Sequence, residues 1–246
     1  MEYLIIFLFG ISFGSFFNVC IYRIPKKISI IKPNSHCFNC KKELRFKDMI
    51  PVVGYFLNKG KCNYCGAKYS IRYSLVELLS GLLFVLAFIK FAYTLEFFFA
   101  VTIISLLLII TFIDFDHMEI PDSLNIIIFI VAIIHNLIYK EFSPIELIIA
   151  FLIGGGIFLI IALIGPMGGG DIKLMAALSI FFGPIYIVLL MILSFIVGGI
   201  ISILLLITKK KNRKDYIPFG PFIAFSAMLL ILYGPKLLQY YLNIIG

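Results

Sequence analysis

Residues 95–122 read LEFFFAVTIISLLLIITFIDFDHMEIPD. From Leu95 to Ile113 the only charge is Glu96. A helical crossing of a bilayer needs about 20 predominantly apolar residues, so this run is a membrane span. It ends directly on Asp114, with Asp116, His117, Pro121 and Asp122 crowded behind it. A carboxylate at the end of a span is costly to place and is a functional candidate by default. The rest of the chain agrees with the membrane reading. Its 246 residues are 62% hydrophobic and only 14% charged, with mean hydropathy +1.09. No soluble domain hides that much apolar surface. The alternating pattern of a β-barrel is absent, which leaves helices.

Seven more apolar segments flank this one: Tyr3–Ile24, Tyr73–Phe91, Ser123–Tyr139, Pro144–Ile164, Asp171–Phe182, Pro184–Ile207 and Pro218–Tyr233. The expectation is an all-α membrane protein of about eight transmembrane helices. Asp171–Phe182 is short and reads either as a half-span or as joined to its successor through the Gly183–Pro184 break. The opening MEYLIIFLFG has no basic n-region and no small-residue cleavage pattern follows, so the first segment is expected to remain as a span. Three regions result: a first transmembrane helix at 1–24, a polar loop module at 25–72, and a transmembrane core at 73–246.

The net charge of +8 would suggest nucleic acid in a soluble protein. Here the basic residues sit between apolar runs, so topology explains them and no nucleic-acid partner is expected. Arg23–Arg72 holds 12 of the 21 Lys and Arg residues, and the run Lys209–Lys214 (KKKNRK) holds another five. Eight crossings put both loops on one side, which the positive-inside rule makes the cytoplasm, with both termini outside. The same count brings Asp114 and Asp171 to one membrane face. Loop lysines and arginines are also suited to anionic lipid headgroups.

The polar module carries Cys37-Phe-Asn-Cys40 and Cys62-Asn-Tyr-Cys65. Two CxxC pairs can present four thiolates to one tetrahedral Zn2+, a closed and therefore structural site. Gly60 and Gly66 flank the second pair, where a tight turn needs a permissive backbone. A disulfide or redox role is the competing reading, disfavoured by the reducing cytosol. Cys20, alone in the first span, reads as a packing residue, and His36 as a spare ligand that four cysteines do not need. The module is therefore a small cytosolic zinc-ribbon-like insert.

Gly168-Gly169-Gly170-Asp171 opens the sixth segment. The glycines allow a sharp turn and close approach, and Asp171 stands near a helix N-terminus, where the dipole favours an anion. The plain alternative is a helix cap. Asp122 or Ser123 reads as another cap, Asp116 as either a solvated loop carboxylate or a competitor for the role of Asp114, and Lys173 as a partner for a carboxylate or for headgroups. Two carboxylates at one face suit aspartyl protease chemistry, in which the pair shares one proton. They also suit a proton relay or cation site in a transporter or channel, and a zinc module on a membrane anchor is a third reading.

The motifs together resemble the type IV prepilin peptidases, aspartic intramembrane proteases of the GxGD class, over nearly the whole length. The residues that carry the resemblance are GSFFNVCIYRIP from Gly14 to Pro25, the two CxxC pairs, Ile71-Arg72-Tyr73, Val76-Glu77-Leu78-Leu79, Ile113-Asp114-Phe115-Asp116-His117 with Ile120-Pro121-Asp122, and Gly168–Lys173. The resemblance implies that Asp114 and Asp171 are catalytic and that the substrates are type IV prepilins or pseudopilins. Their basic leader would be cut after a glycine at the cytoplasmic face of the bacterial inner membrane. It also implies N-methylation of the new N-terminus with S-adenosylmethionine. No glycine-rich methyl-donor motif is visible, so the donor's site has no residues assigned from sequence.

Overall fold

The computed structural model describes residues 1–165, 167–212 and 215–245. Among them the chain is all-helical, with nine α-helices: α1 (Glu2–Arg23), α2 (Val53–Leu57), α3 (Arg72–Phe91), α4 (Leu95–His117), α5 (Asp122–Tyr139), α6 (Pro144–Phe151), α7 (Ile157–Ile164), α8 (Gly169–Ile207) and α9 (Gly220–Ile245). A π-helical turn, Leu152–Gly156, joins α6 to α7 into one run. Among the described residues, seven helical runs are long and apolar enough to cross a membrane. Many outward side chains are large and apolar, such as Ile126, Ile130 and Leu137 on α5 or Ile145, Ile148 and Leu163 on the α6–α7 run. That is how a helix facing lipid is built. Arg213 and Lys214 of the basic run lie outside the described residues.

The chain divides into two compact units, Met1–Ser105 and Leu106–Gly246. In the first, α1 lies against α3 at backbone distance. A Cβ on Gly10 would sit 2.7 Å from the Cα of Gly81, and one on Gly14 would sit 2.6 Å from the Cα of Glu77. Gly10 and Gly14 form a GxxxG pair, the spacing that lets membrane helices approach closely. Arg23, at the end of α1, donates to the carbonyls of Ser29 and Pro33 and so ties down the chain that leaves the helix. In the loop module Asp48 accepts from Arg45, Asn58 and Asn63. Burial opposes the charge on Asp48, but these donors hold its pKa below the usual carboxylate value.

In the second unit the 39 residues of α8 do not form one rod. Gly183 has φ 68° and ψ −179°, and Pro184 follows it. A straight helix would hold Gly170 and Phe195 about 37 Å apart at 1.5 Å per residue. Instead Ile120 lies against Gly170 with its β-carbon and against Gly220 with its δ-carbon, and Phe219, beside Gly220, stacks 5.2 Å from Phe195. Gly154 touches Ser179 and Ile187, on either side of the break. The two arms of α8 therefore lie side by side, doubled back at Gly183. This resolves the ambiguity over segment six: it joins segment seven, and does so through a reversal. α9 runs on beyond Tyr233, where the expected eighth segment stops, through a kink next to Pro235.

Candidate functional site

Asp114 sits in the last turn of α4, which continues past Ile113 to His117. Its side chain is buried, whereas Asp116, two residues on and so across the helix, is exposed. The helix thus separates the two candidates that were adjacent in sequence. Asp114 Oδ2 accepts the backbone N–H of Gly220 at 3.0 Å. Gly220 is the first residue of α9 and Pro221 the second, so the positive end of that helix points at the carboxyl. A Cβ on Gly220 would fall 2.6 Å from Asp114 Oδ2 and 2.9 Å from Ile120 Cδ1.

Asp171 is the third residue of α8. It is also buried. Its N–H donates to Gly168 O at 3.1 Å, and Gly168 packs 3.2 Å from its Oδ2, measured from the position a Cβ would take. Oδ1 has no hydrogen-bond partner among the described residues. The two carboxyls are close enough for the charge of Asp114 to act on Asp171. Ile120 wedges them together: it touches Gly170, the residue before Asp171, and Gly220, the residue bonded to Asp114. A Cβ on Gly170 would lie 2.9 Å from Ile120, so the glycine permits the approach. Two buried carboxyls in this arrangement, one with a spare oxygen, can hold and pass a single proton.

Asp122 is not a cap. Pro121 occupies the N-cap position of α5 with no side-chain cap bond, and the exposed Asp122 carboxylate pairs with Lys173 at 2.7 and 2.9 Å. Lys173 therefore engages neither Asp114 nor Asp171. Two features of the site escaped the sequence reading. Gly220 carried a signal, since Gly followed by Pro marks a helix start. Ile120 carried none, being one apolar residue among many.

In the first unit Cys37, Cys40, Cys62 and Cys65 converge, with all four sulfurs within 4.8 Å of one another. Cys37–Cys65 and Cys40–Cys62 are 3.8 and 4.0 Å apart. Four Zn–S bonds of about 2.3 Å directed to a tetrahedron require sulfurs about 3.8 Å apart, so the donor set fits. None of the four is in a disulfide. Both knuckles have the same build: Cys37 N–H bonds to Lys42 O and Cys62 N–H to Ala67 O, and the residue after each second cysteine has positive φ, 60° at Lys41 and 71° at Gly66. The Ala67 N–H aimed at Cys65 lowers that thiol's pKa toward the thiolate that ligates metal, while desolvation and the neighbouring thiols raise that of Cys40. His36 bonds to Asn34 O and stands outside the cluster. Cys20 is buried in α1.

Comparison with known proteins adds an independent line. Residues 8–91 match the Bacterial Peptidase A24 N-terminal domain, and residues 101–203 match the Type IV leader peptidase family. A prepilin leader peptidase/N-methyltransferase of Bacillus subtilis (strain 168) is 34% identical, covering 97% of this chain and 97% of its own length. Proteins of the same name from Legionella pneumophila (29% identical, 98% and 94% covered) and Dichelobacter nodosus (30% identical, 94% and 92% covered) are also similar. No solved structure matches.

Proposed function

The chain belongs to the type IV leader peptidase family and is a multi-pass aspartic prepilin peptidase, and from that premise we propose that Asp114 and Asp171 are its catalytic pair. The observation that carries this reading is their burial together in one unit, bridged by Ile120, with an α9 N–H on one carboxyl and a spare oxygen on the other. One carboxylate takes a proton from water as its oxygen attacks the scissile carbonyl. The other carboxyl gives its proton to the carbonyl oxygen. Collapse of the tetrahedral intermediate breaks the C–N bond, and a proton passes to the leaving amine. The Gly220 N–H holds Asp114 in place through the cycle.

The substrates are the basic leaders of type IV prepilins or pseudopilins, cut after a glycine at the cytoplasmic face of the inner membrane. The basic loops support that orientation. The cysteines hold one Zn2+ whose closed coordination makes it structural. The names of the relatives support a second reaction, N-methylation of the new terminus. When bound, S-adenosylmethionine would supply an electrophilic methyl group for the new terminal amine. The deciding experiment incubates purified protein with a prepilin and S-adenosylmethionine and reads product masses. A product lighter by the leader and heavier by one methyl is expected. An uncut prepilin with well-inserted, zinc-loaded enzyme would falsify the peptidase assignment.

A further inference from the structure

The catalytic pair uses neither GSFFNVCIYRIP nor VELL, yet both segments converge on one place. A cavity of about 270 Å³ lies within the first unit, between α1, α3 and the cysteine module. That is close to the lower end of small-molecule sites, about 300–1,000 Å³. The buried Glu77 of α3 and the buried Asn18 of α1 face it, along with half-buried Tyr22, Tyr55 and Tyr69. Glu77 accepts the Val52 N–H at 2.6 Å and bonds to Ser15. A carboxylate has about four acceptor positions, so two protein donors leave Glu77 with capacity for a ligand. Asn18 donates to Tyr73 O at 2.9 Å, and Asp48 at the rim is engaged by Arg45, Asn58 and Asn63. Glu77 is therefore the acid in this cavity that a cation can address, and it is set among aromatic rings.

We propose that this cavity is the methyl-donor site, with the Glu77 carboxyl facing the cationic sulfonium and amino end of S-adenosylmethionine and the tyrosines packing on its adenine. The proposal rests on the methylation reading above. Burying an acid in a membrane-spanning helix is expensive; Val52 and Ser15 satisfy part of Glu77, and a cation held by carboxylate and aromatic faces would neutralise its charge. The flat adenine accounts for several tyrosines around one small space.

The test uses the full chain in detergent with methyl-labelled S-adenosylmethionine and no peptide, so binding is read apart from turnover. Equilibrium dialysis compares wild type with Glu77→Gln, in which the amide oxygen still accepts the Val52 N–H. A loss of affinity of about 10- to 100-fold is expected, as for a charge-assisted contact, with one zinc per chain retained. If Glu77→Gln loses its zinc, ultraviolet crosslinking of the labelled donor to wild type decides: label is expected within residues 15–23 or 52–77. Equal affinity in a zinc-loaded Glu77→Gln protein, or label confined to other segments, overturns the site while methylation of a precleaved peptide by wild type still stands. In a separate titration with precleaved peptide and no donor, a Glu77→Gln protein that fails to hold the peptide while it keeps the donor reassigns the cavity to the acceptor and overturns the proposal. Wild type that neither binds the donor nor methylates brings down both.

Discussion

The backbone N–H of Gly220 donates to Asp114 across 106 positions of sequence, at 3.0 Å. It ties the end of α4 to the start of α9 and fixes one carboxyl before any substrate arrives. Preorganisation of this kind is what acid–base catalysis requires.

Replacing Asp114 or Asp171 with Asn keeps shape and removes the group proposed to transfer the proton. Leader cleavage in membranes is expected to fall by roughly 10²–10⁴-fold for each, and for the double variant by about the same factor, since the pair acts as a unit. Asp116→Asn, on the exposed side of the helix, is expected to stay within about threefold of wild type. A dead Asp116→Asn beside an active Asp114→Asn would transfer the role.

Gly220→Ala tests the tether itself. Its methyl group would overlap Asp114 Oδ2 and Ile120 Cδ1, so Asp114 must shift. A displacement of about 1 Å costs on the order of 10²-fold in rate. Cleavage kinetics should show the loss in kcat with KM nearly unchanged. Wild-type kcat would mean that the hydrogen bond is incidental.

The cysteine module is expected to carry one zinc per chain by metal analysis, and none in Cys62→Ser. In small sites metal binding energy is folding energy, so the variant's loop 25–72 should become sensitive to limited proteolysis while the membrane helices stay resistant. A metal-free wild type with a disulfide among these cysteines contradicts the assignment.

Gly14→Leu places a side chain where the Cα of Glu77 stands 2.6 Å from the first added atom. Backbone cannot yield as a flexible side chain can, so α1 and α3 must part. The overpacking cost is about 1–3 kcal/mol. It should appear as a lowered thermal midpoint of the detergent-solubilised protein, and an unchanged midpoint would show that the close approach is not needed for stability.

Much of this was legible in the chain. Span composition alone called for helices, CxxC spacing located the four-cysteine cluster, and Asp114 and Asp171 stood out because carboxylates at span ends are costly. Three things were not legible. The choice between Asp114 and Asp116 depended on how far α4 continues, since 200° of helical rotation hides one and exposes the other. Asp122 looked like a cap but pairs with Lys173, because Pro121 had already taken the cap position. The Glu77 cavity needed Gly10 and Gly14 to bring α1 onto α3, and nothing in a single sequence says that a GxxxG pair has found its partner.

The reversal at Gly183 bears on how the protein is made. The arm before it, residues 169–182, is about 21 Å long at 1.5 Å per residue, short of the roughly 30 Å hydrocarbon core, and it begins with a carboxylate and a lysine. A nascent segment of that kind is a poor stop signal by itself. The longer, uncharged arm that follows can supply the driving force for both, so the two should enter the bilayer as one hairpin once residue 207 has left the ribosome. A single cysteine placed at Leu178 should then react with a water-soluble thiol reagent in chains halted with Gly183 just outside the ribosome, and should be protected in chains halted well beyond 207.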